Sequence, residues 1–167
     1  YAEIRVVPLD HTDLGLTQRQ IFNCILRGIY KGLDEFTDIN VKVIFCMKRS
    51  ATLALNKHTI ELALEYKNDV VVGVDLVGSA LDRGIEPFMP LFEMAKEGGL
   101  HIACQPSVDE LGFAIAHNFE RITLPCPILV NNDLMLALQS CHFVFELIPS
   151  HLLCRNVISN ISEVTSK

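Results

Sequence analysis

Short apolar runs alternate with amphipathic stretches along this chain of 167 residues. Six runs have the length and the β-branched content of strands, and a helical pattern follows each of them. The predicted strands cover 1–8, 41–47, 70–76, 100–104, 121–124 and 143–147. The predicted helices cover 17–36, 55–66, 86–98, 108–118 and 131–140, and a weak one begins at about 151. Because strands and helices alternate strictly, the sequence predicts an α/β protein with a parallel sheet.

Local signals support individual elements of this pattern. Thr17, with Gln20 three residues later, forms a capping-box sequence at the start of the first helix. The run 70–76 consists almost entirely of aliphatic residues, as expected of a parallel strand that is covered on both faces. We therefore expect this strand to lie in the centre of the sheet.

The number of units limits the choice of parallel folds. Alternation of this kind gives either an open doubly wound sheet or part of a closed barrel, and an eight-stranded barrel typically needs about 250 residues. Six of eight β/α units are visible here, and no linker divides them. We predict a single incomplete TIM-barrel-like domain, (β/α)8 in type, over 1–167. Its two open sheet edges would need protein partners to cover them.

Charge and cysteine content narrow the possible partners and the compartment. The chain carries 14 basic and 20 acidic residues, a net charge of −6, which disfavours binding to nucleic acid or to anionic membranes. No apolar run reaches the length of about 18 residues that crosses a bilayer. The six cysteines include no C-x-x-C pair and lie mostly in apolar runs. These features predict the cytoplasm or another reducing intracellular compartment.

Seven short motifs, in order, resemble the adenosine deaminase family of zinc-dependent (β/α)8 barrels. They are Tyr1-Ala-Glu-Ile-Arg5 with Pro8, Gly15-Leu-Thr-Gln18, Phe45-Cys-Met-Lys48, Asp75-Leu-Val-Gly78, Gly99-Leu-His-Ile102, Glu120-Arg-Ile122 and Phe145-Glu-Leu-Ile-Pro149. The resemblance covers the second to seventh strands of the family. It implies a hydrolase scaffold from purine metabolism, and it implies that Asp75 and Gly78 contact a purine nucleoside. For Gly78, a tight turn at the strand end is the alternative interpretation.

The same resemblance implies that the catalytic positions are altered. Gln105 stands where the family has a zinc-binding histidine, Val108 where it has a proton-donating glutamate, and Leu124 where it has a histidine that orients the hydroxide. The His-x-His pair of the family's first strand, and the aspartate of its eighth, have no counterpart. Since amide and aliphatic side chains neither bind zinc well nor transfer protons, we expect no cofactor, although the family uses zinc.

Three functions remain open from the sequence. The leading hypothesis is a catalytically inactive adenosine deaminase-like protein, that is, a pseudoenzyme. Its role would be structural or scaffolding, for example within a larger assembly. The second is a fragment or divergent form of an active zinc-dependent deaminase that converts adenosine to inosine. The third is a module that binds a purine nucleoside without chemistry.

Overall fold

The computed structural model describes residues 1–124, 138 and 143–146. By contacts, the chain divides into two compact units, Tyr1–Ile102 and Ala103–Lys167, called here the first and second units. The predicted helices over 131–140 and from about 151 lie outside the described residues. No helix in the described ranges is long and apolar enough to cross a membrane.

The first unit is a parallel α/β layer. Its strands lie in the order β1-β2-β3-β4, and each pair is parallel. The strands are β1 (Ala2–Val6), β2 (Val41–Lys48), β3 (Val71–Val77) and β4 (His101–Cys104), whose last two residues belong to the second unit. The α-helices are α1 (Gln18–Glu35), α2 (Leu53–Glu65) and α3 (Met89–Glu97). Two 3₁₀ helices, Pro8–Leu14 and Glu86–Phe88, precede α1 and α3.

The second unit continues the same alternation. After the end of β4 come α4 (Leu111–Ala116), β5 (Arg121–Thr123) and β6 (Val144–Glu146). Here β4 pairs with β5, and β5 pairs with β6, both in parallel. The α/β class and the six parallel strands predicted from the hydrophobic pattern are confirmed.

The start of the fourth helix and an additional 3₁₀ helix are two of the differences from the sequence prediction. The fourth helix begins at Leu111 instead of residue 108. In the turn before it, Ser107 and Glu110 exchange hydrogen bonds between side chain and backbone, as in a capping box. The 3₁₀ helix at Pro8–Leu14 was not predicted. It begins at a proline and ends at Gly15, which has a φ of 80°. Such a short helix has too few turns to produce a hydrophobic period.

The core of the first unit is built where α1 and α2 pack on β2. Phe22 of α1 is completely buried, and its ring meets that of Phe45 in β2 edge-on at 4.4 Å between centroids. Tyr66, at the end of α2, contacts Phe22 from the other side at 4.9 Å. The predicted capping box is present: the hydroxyl of Thr17 accepts from the backbone N–H of Gln20, whose side chain accepts from that of Thr17. Together these contacts fix the start and the rotation of α1.

Candidate functional site

A buried carboxylate marks the sheet of the first unit near the carboxyl ends of its strands. Asp75 of β3 is 2 % exposed. Its Oδ2 accepts a hydrogen bond of 2.6 Å from Nε of Arg5 in β1, and its Oδ1 accepts one of 2.7 Å from the backbone N–H of Leu76. An ionised carboxylate in such a position needs a charged partner, and Arg5 supplies it across β2. This contact links two of the motifs that carry the family resemblance.

A buried thiol lies opposite Asp75 in the sheet register. Cys46 of β2 pairs with Asp75, and its side chain is completely buried. Burial raises the pKa of the Cys46 thiol to about 12, and the nearby Asp75 carboxylate adds to the shift. The thiolate is the form that attacks substrates and binds metals, and the raised pKa keeps Cys46 in the thiol form at neutral pH. Cys46 therefore acts as a small apolar core residue.

Gly78 directly follows β3 and has a backbone conformation that favours glycine. Its φ is 110°, and a Cβ at this position would lie 3.3 Å from Cβ of Arg49. The Arg49 backbone N–H donates to the carbonyl of Val77, so the segment after β2 stays close to the end of β3. The turn alone therefore accounts for a glycine here, as the alternative interpretation holds. Contact of Gly78 or Asp75 with a nucleoside stays a prediction.

Two buried polar residues after β2 were missed by the sequence analysis. Arg49 is 1 % exposed, and its Nη1 donates to the carbonyl of Arg83 in the loop after β3. Asn56 of α2 is completely buried; its Oδ1 accepts from the N–H of Lys48, and its Nδ2 donates to the Lys48 carbonyl. These contacts hold the loops after β2 and β3 in fixed positions. A basic residue directly after a buried strand was the available signal for Arg49.

The three positions where the resemblance predicts altered catalytic residues, Gln105, Val108 and Leu124, lie in the second unit. Gln105 follows the last residue of β4 and is exposed, and Val108 is also exposed, at 44 %. Leu124 directly follows β5 and is buried, at 1 %. An exposed aliphatic side chain and a buried one are both without a proton to transfer. At Gln105 the neutral amide is a poor substitute for an imidazole in zinc coordination.

The described residues do not fit a zinc centre. Within the ranges that the structure describes, no three side chains of His, Cys, Asp or Glu lie close enough together to hold a metal ion. Asp75, the buried carboxylate at this end of the strands, is already paired with Arg5.

A comparison with known families gives the assignment. The adenosine deaminase family model matches residues 1–106, which include the Arg5–Asp75 pair, Gly78 and Gln105. The chain belongs to the adenosine deaminase family. The match ends at residue 106, so it includes Gln105 and stops before Val108 and Leu124.

Curated relatives of this family member include two kinds of deaminase. The chain is 30% identical over 102 residues to an adenosine deaminase of Clostridium perfringens (strain SM101 / Type A), and 32% identical over 107 residues to the N6-methyl-AMP deaminase of Bos taurus. These matches cover 61% and 62% of this chain and 30% of each relative. The matched part of the chain thus spans less than a third of the length of the relatives.

Solved structures confirm the TIM-barrel-like fold. An N6-methyl-AMP deaminase from Arabidopsis matches with a TM-score of 0.76 and 24% identity, covering 96% of this chain and 49% of that one. A zinc-bound amidohydrolase from Burkholderia ambifaria matches with a TM-score of 0.74 and 17% identity, covering 89% of this chain and 43% of that one. This family member therefore spans about half the length of these structures, one of which contains the metal that the family uses.

Proposed function

We propose that this member of the adenosine deaminase family does not catalyse deamination and has a structural role within a larger assembly. The observation that carries the proposal is Gln105, which lies inside the family match but places an exposed amide directly after β4. Val108 and Leu124 support it from outside the matched region. Arg5 and Asp75 still form their ion pair in the sheet. The proposed loss of catalysis at Gln105 therefore leaves this part of the fold intact.

The chemistry explains why these substitutions matter. Hydrolytic removal of an amino group from a purine needs a metal to activate water, an acid for the ring nitrogen and a group that orients the hydroxide. General acid–base catalysis alone contributes about 10²–10⁴-fold in rate. The amide of Gln105 is a poor metal ligand, and the side chain of Val108 cannot act as the acid. A reaction that depends on both groups together loses most of its acceleration.

Two features support a structural role in a reducing compartment. Cys46 and Cys104 are buried cysteines outside any disulfide in the described residues, as suits a protein of a reducing compartment. The first unit also has β1 at one edge of the described sheet order, where a protein partner would complete the layer. We keep the cytoplasm, and a protein partner at the sheet edges, as parts of the proposal.

Binding of a purine nucleoside without turnover is the second candidate. It is favoured by Gly78, whose exposed backbone ends the strand that carries Asp75. A nucleoside that binds the folded state raises the melting temperature, and the rise grows with the logarithm of the ratio of its concentration to its Kd. Stabilisation by adenosine or AMP, without conversion, would support this function over a purely structural one.

The test of the proposal is an assay for deamination by the purified protein. We expect no conversion of adenosine, AMP or N6-methyl-AMP to the 6-oxo purine, followed by ultraviolet absorbance, with zinc supplied. The Clostridium perfringens adenosine deaminase serves as the positive control for adenosine. Conversion that rises with protein concentration and is abolished by a chelator would contradict the proposal and favour an active deaminase.

A further inference from the structure

Exposed leucines lie on the loops at the carboxyl ends of β1, β2 and β3. Parallel strands end at the same edge of a sheet, so these three loops are neighbours in the first unit. Leu81, after β3, is 98 % exposed, and Leu14, after β1, is 86 % exposed. A single exposed leucine is common on a protein surface, but several on adjoining loops are typical of a surface that contacts another molecule. We call this set the loop-end surface, which consists of Leu14, Leu16, Leu53 and Leu81.

Hydrogen bonds hold the three loops against one another. After β2, Nη1 of Arg49 donates to the carbonyl of Arg83 at 2.7 Å, and Arg83 in turn donates to the carbonyl of Ala51 at 3.2 Å. On the other side, Nζ of Lys48 donates to the carboxylate of Asp10, which lies in the 3₁₀ helix after β1. Because the loops are already fixed in the free protein, a partner that binds them loses little affinity to the ordering of flexible segments.

Negative charge accompanies the two leucines with the highest exposure. Each has an aspartate beside it in the sequence, Asp13 and Asp82. Both aspartates lie close to the end of β2, where Lys48 pairs with Asp10. The hydrogen bond from Lys48 to Asp10 is the main cause of the raised pKa of the Lys48 amine, and the charges of Asp13 and Asp82 add to the shift. Among the described residues, neither Asp13 nor Asp82 forms an ion pair, so both charges are available to a partner.

The cations of the same loops are held by other groups of the protein. Lys48 pairs with Asp10, and Arg49 is buried, at 1 % exposure. The guanidinium of Arg83 lies over the ring of Phe88, at 5.9 Å from its centroid. The charge that the loops present beside the exposed leucines is therefore mainly negative.

We propose that the loop-end surface docks a protein segment whose apolar side chains are flanked by lysine or arginine. The leucines cover the apolar side chains of the segment, and Asp13 and Asp82 attract its basic flanks. A second copy of this chain fits this surface poorly, because a symmetric contact brings the same carboxylates together. An anionic lipid surface is repelled for the same reason.

This inference goes beyond the structural role proposed above, since it gives the chemistry of a partner at a surface other than the β1 edge. It is also independent of whether Gln105 supports catalysis.

A designed peptide serves as the probe for this surface. It is a fluorescein-labelled amphipathic helix of about 18 residues, made of leucine, alanine and lysine, with the leucines on one face. Fluorescence anisotropy follows its binding to the full chain. We expect binding at low ionic strength that weakens by about tenfold or more as salt is added, because salt screens the attraction between exposed charges. Absence of binding, or equal binding of a peptide with glutamate in place of lysine, would overturn the proposal.

Two double variants locate the peptide on the loop-end surface. Leu14→Ser combined with Leu81→Ser is expected to weaken binding by about tenfold or more, because it removes apolar area from the contact. Asp13→Asn combined with Asp82→Asn is expected to weaken binding by about fivefold and to reduce its salt dependence. All four positions are exposed, so both variants should unfold thermally like the parent protein. Parent-like affinity in either double variant would contradict the proposal.

Matched controls make the same kinds of change elsewhere on the first unit. Phe36→Ser with Ile39→Ser removes two exposed apolar side chains after α1, and Glu93→Gln with Glu97→Gln removes two exposed charges on α3. Both controls are expected to bind the peptide as the parent protein does. Losses as large as those of the loop-end variants would show that the binding is not specific to this surface, and would overturn the proposal.

Two measurements address the other occupants. Sedimentation velocity at increasing protein concentration detects a second copy, and flotation with phosphatidylcholine vesicles detects a membrane. We expect neither self-association nor flotation. Either of them, if abolished by Leu14→Ser with Leu81→Ser, would overturn the proposal in favour of that occupant. The deamination assay is separate from these measurements, so failure of this proposal and failure of the proposed function are distinguishable.

Discussion

Replacement of Arg5 by methionine is expected to lower the free energy of unfolding by about 3 kcal/mol. The change removes the cation that donates a hydrogen bond of 2.6 Å to Asp75 but keeps much of the apolar length of the side chain. Asp75 is then left with a charge in a position that is 2 % exposed. Loss of one partner from a buried pair costs about 3–5 kcal/mol, and the lower end applies because the Arg5 side chain is partly open to solvent.

Urea unfolding of the variant measures this loss, with a matched substitution elsewhere as the control. Arg19→Met breaks the pair between Arg19 and Glu65, in which both side chains are about half exposed. Exposed pairs contribute little to stability, so the control should unfold close to the parent protein. Equal effects of the two substitutions would show that burial of Asp75 does not make its ion pair special.

Truncation of Phe22 to alanine is expected to destabilise the protein by about 4 kcal/mol. Phe22 is completely buried between the rings of Phe45 and Tyr66, so its loss leaves a cavity among three packed elements. Removal of a buried phenylalanine typically costs about 3–5 kcal/mol through lost burial and cavity formation.

The control for this variant is a second phenylalanine close by. Phe36 directly follows α1 and is 63 % exposed, so Phe36→Ala should change stability by no more than about 0.5 kcal/mol. Thermal unfolding of both variants gives the comparison. A loss at position 36 as large as that at position 22 would contradict the burial assigned to the two rings.

The hydrophobic pattern was enough to predict the order of the described strands and α-helices along the chain, but not the 3₁₀ helix at Pro8–Leu14. The capping box at Thr17 is a local signal, and the structure confirms it. The pair of Arg5 and Asp75 could not be predicted in the same way, because the residues are 70 positions apart. Their contact depends on strand order and register, in which Arg5 lies opposite Ile44 and Asp75 opposite Cys46. Neither quantity is contained in the period of one strand.

At the candidate site, too, some residues were identified from the sequence and others were not. The unusual residue at Gln105 was identified through the resemblance to the family, whose match now includes that position. Arg49 and Asn56 were missed because polar residues at a strand end and in an amphipathic helix are usually solvated. Only the packed loops show that both side chains are buried and bound to backbone groups. The catalytic assignments of Gln105, Val108 and Leu124 all stay predictions.

Metal analysis of the purified protein tests the proposed loss of the zinc site most directly. After saturation with zinc and removal of free metal by gel filtration, we expect far less than one zinc ion per chain, because our proposal places the amide of Gln105 at a position where the family has a ligand. The Clostridium perfringens adenosine deaminase provides the reference under the same conditions. One tightly bound zinc ion per folded chain, lost from a Gln105→Ala variant that keeps its fold, would contradict the account.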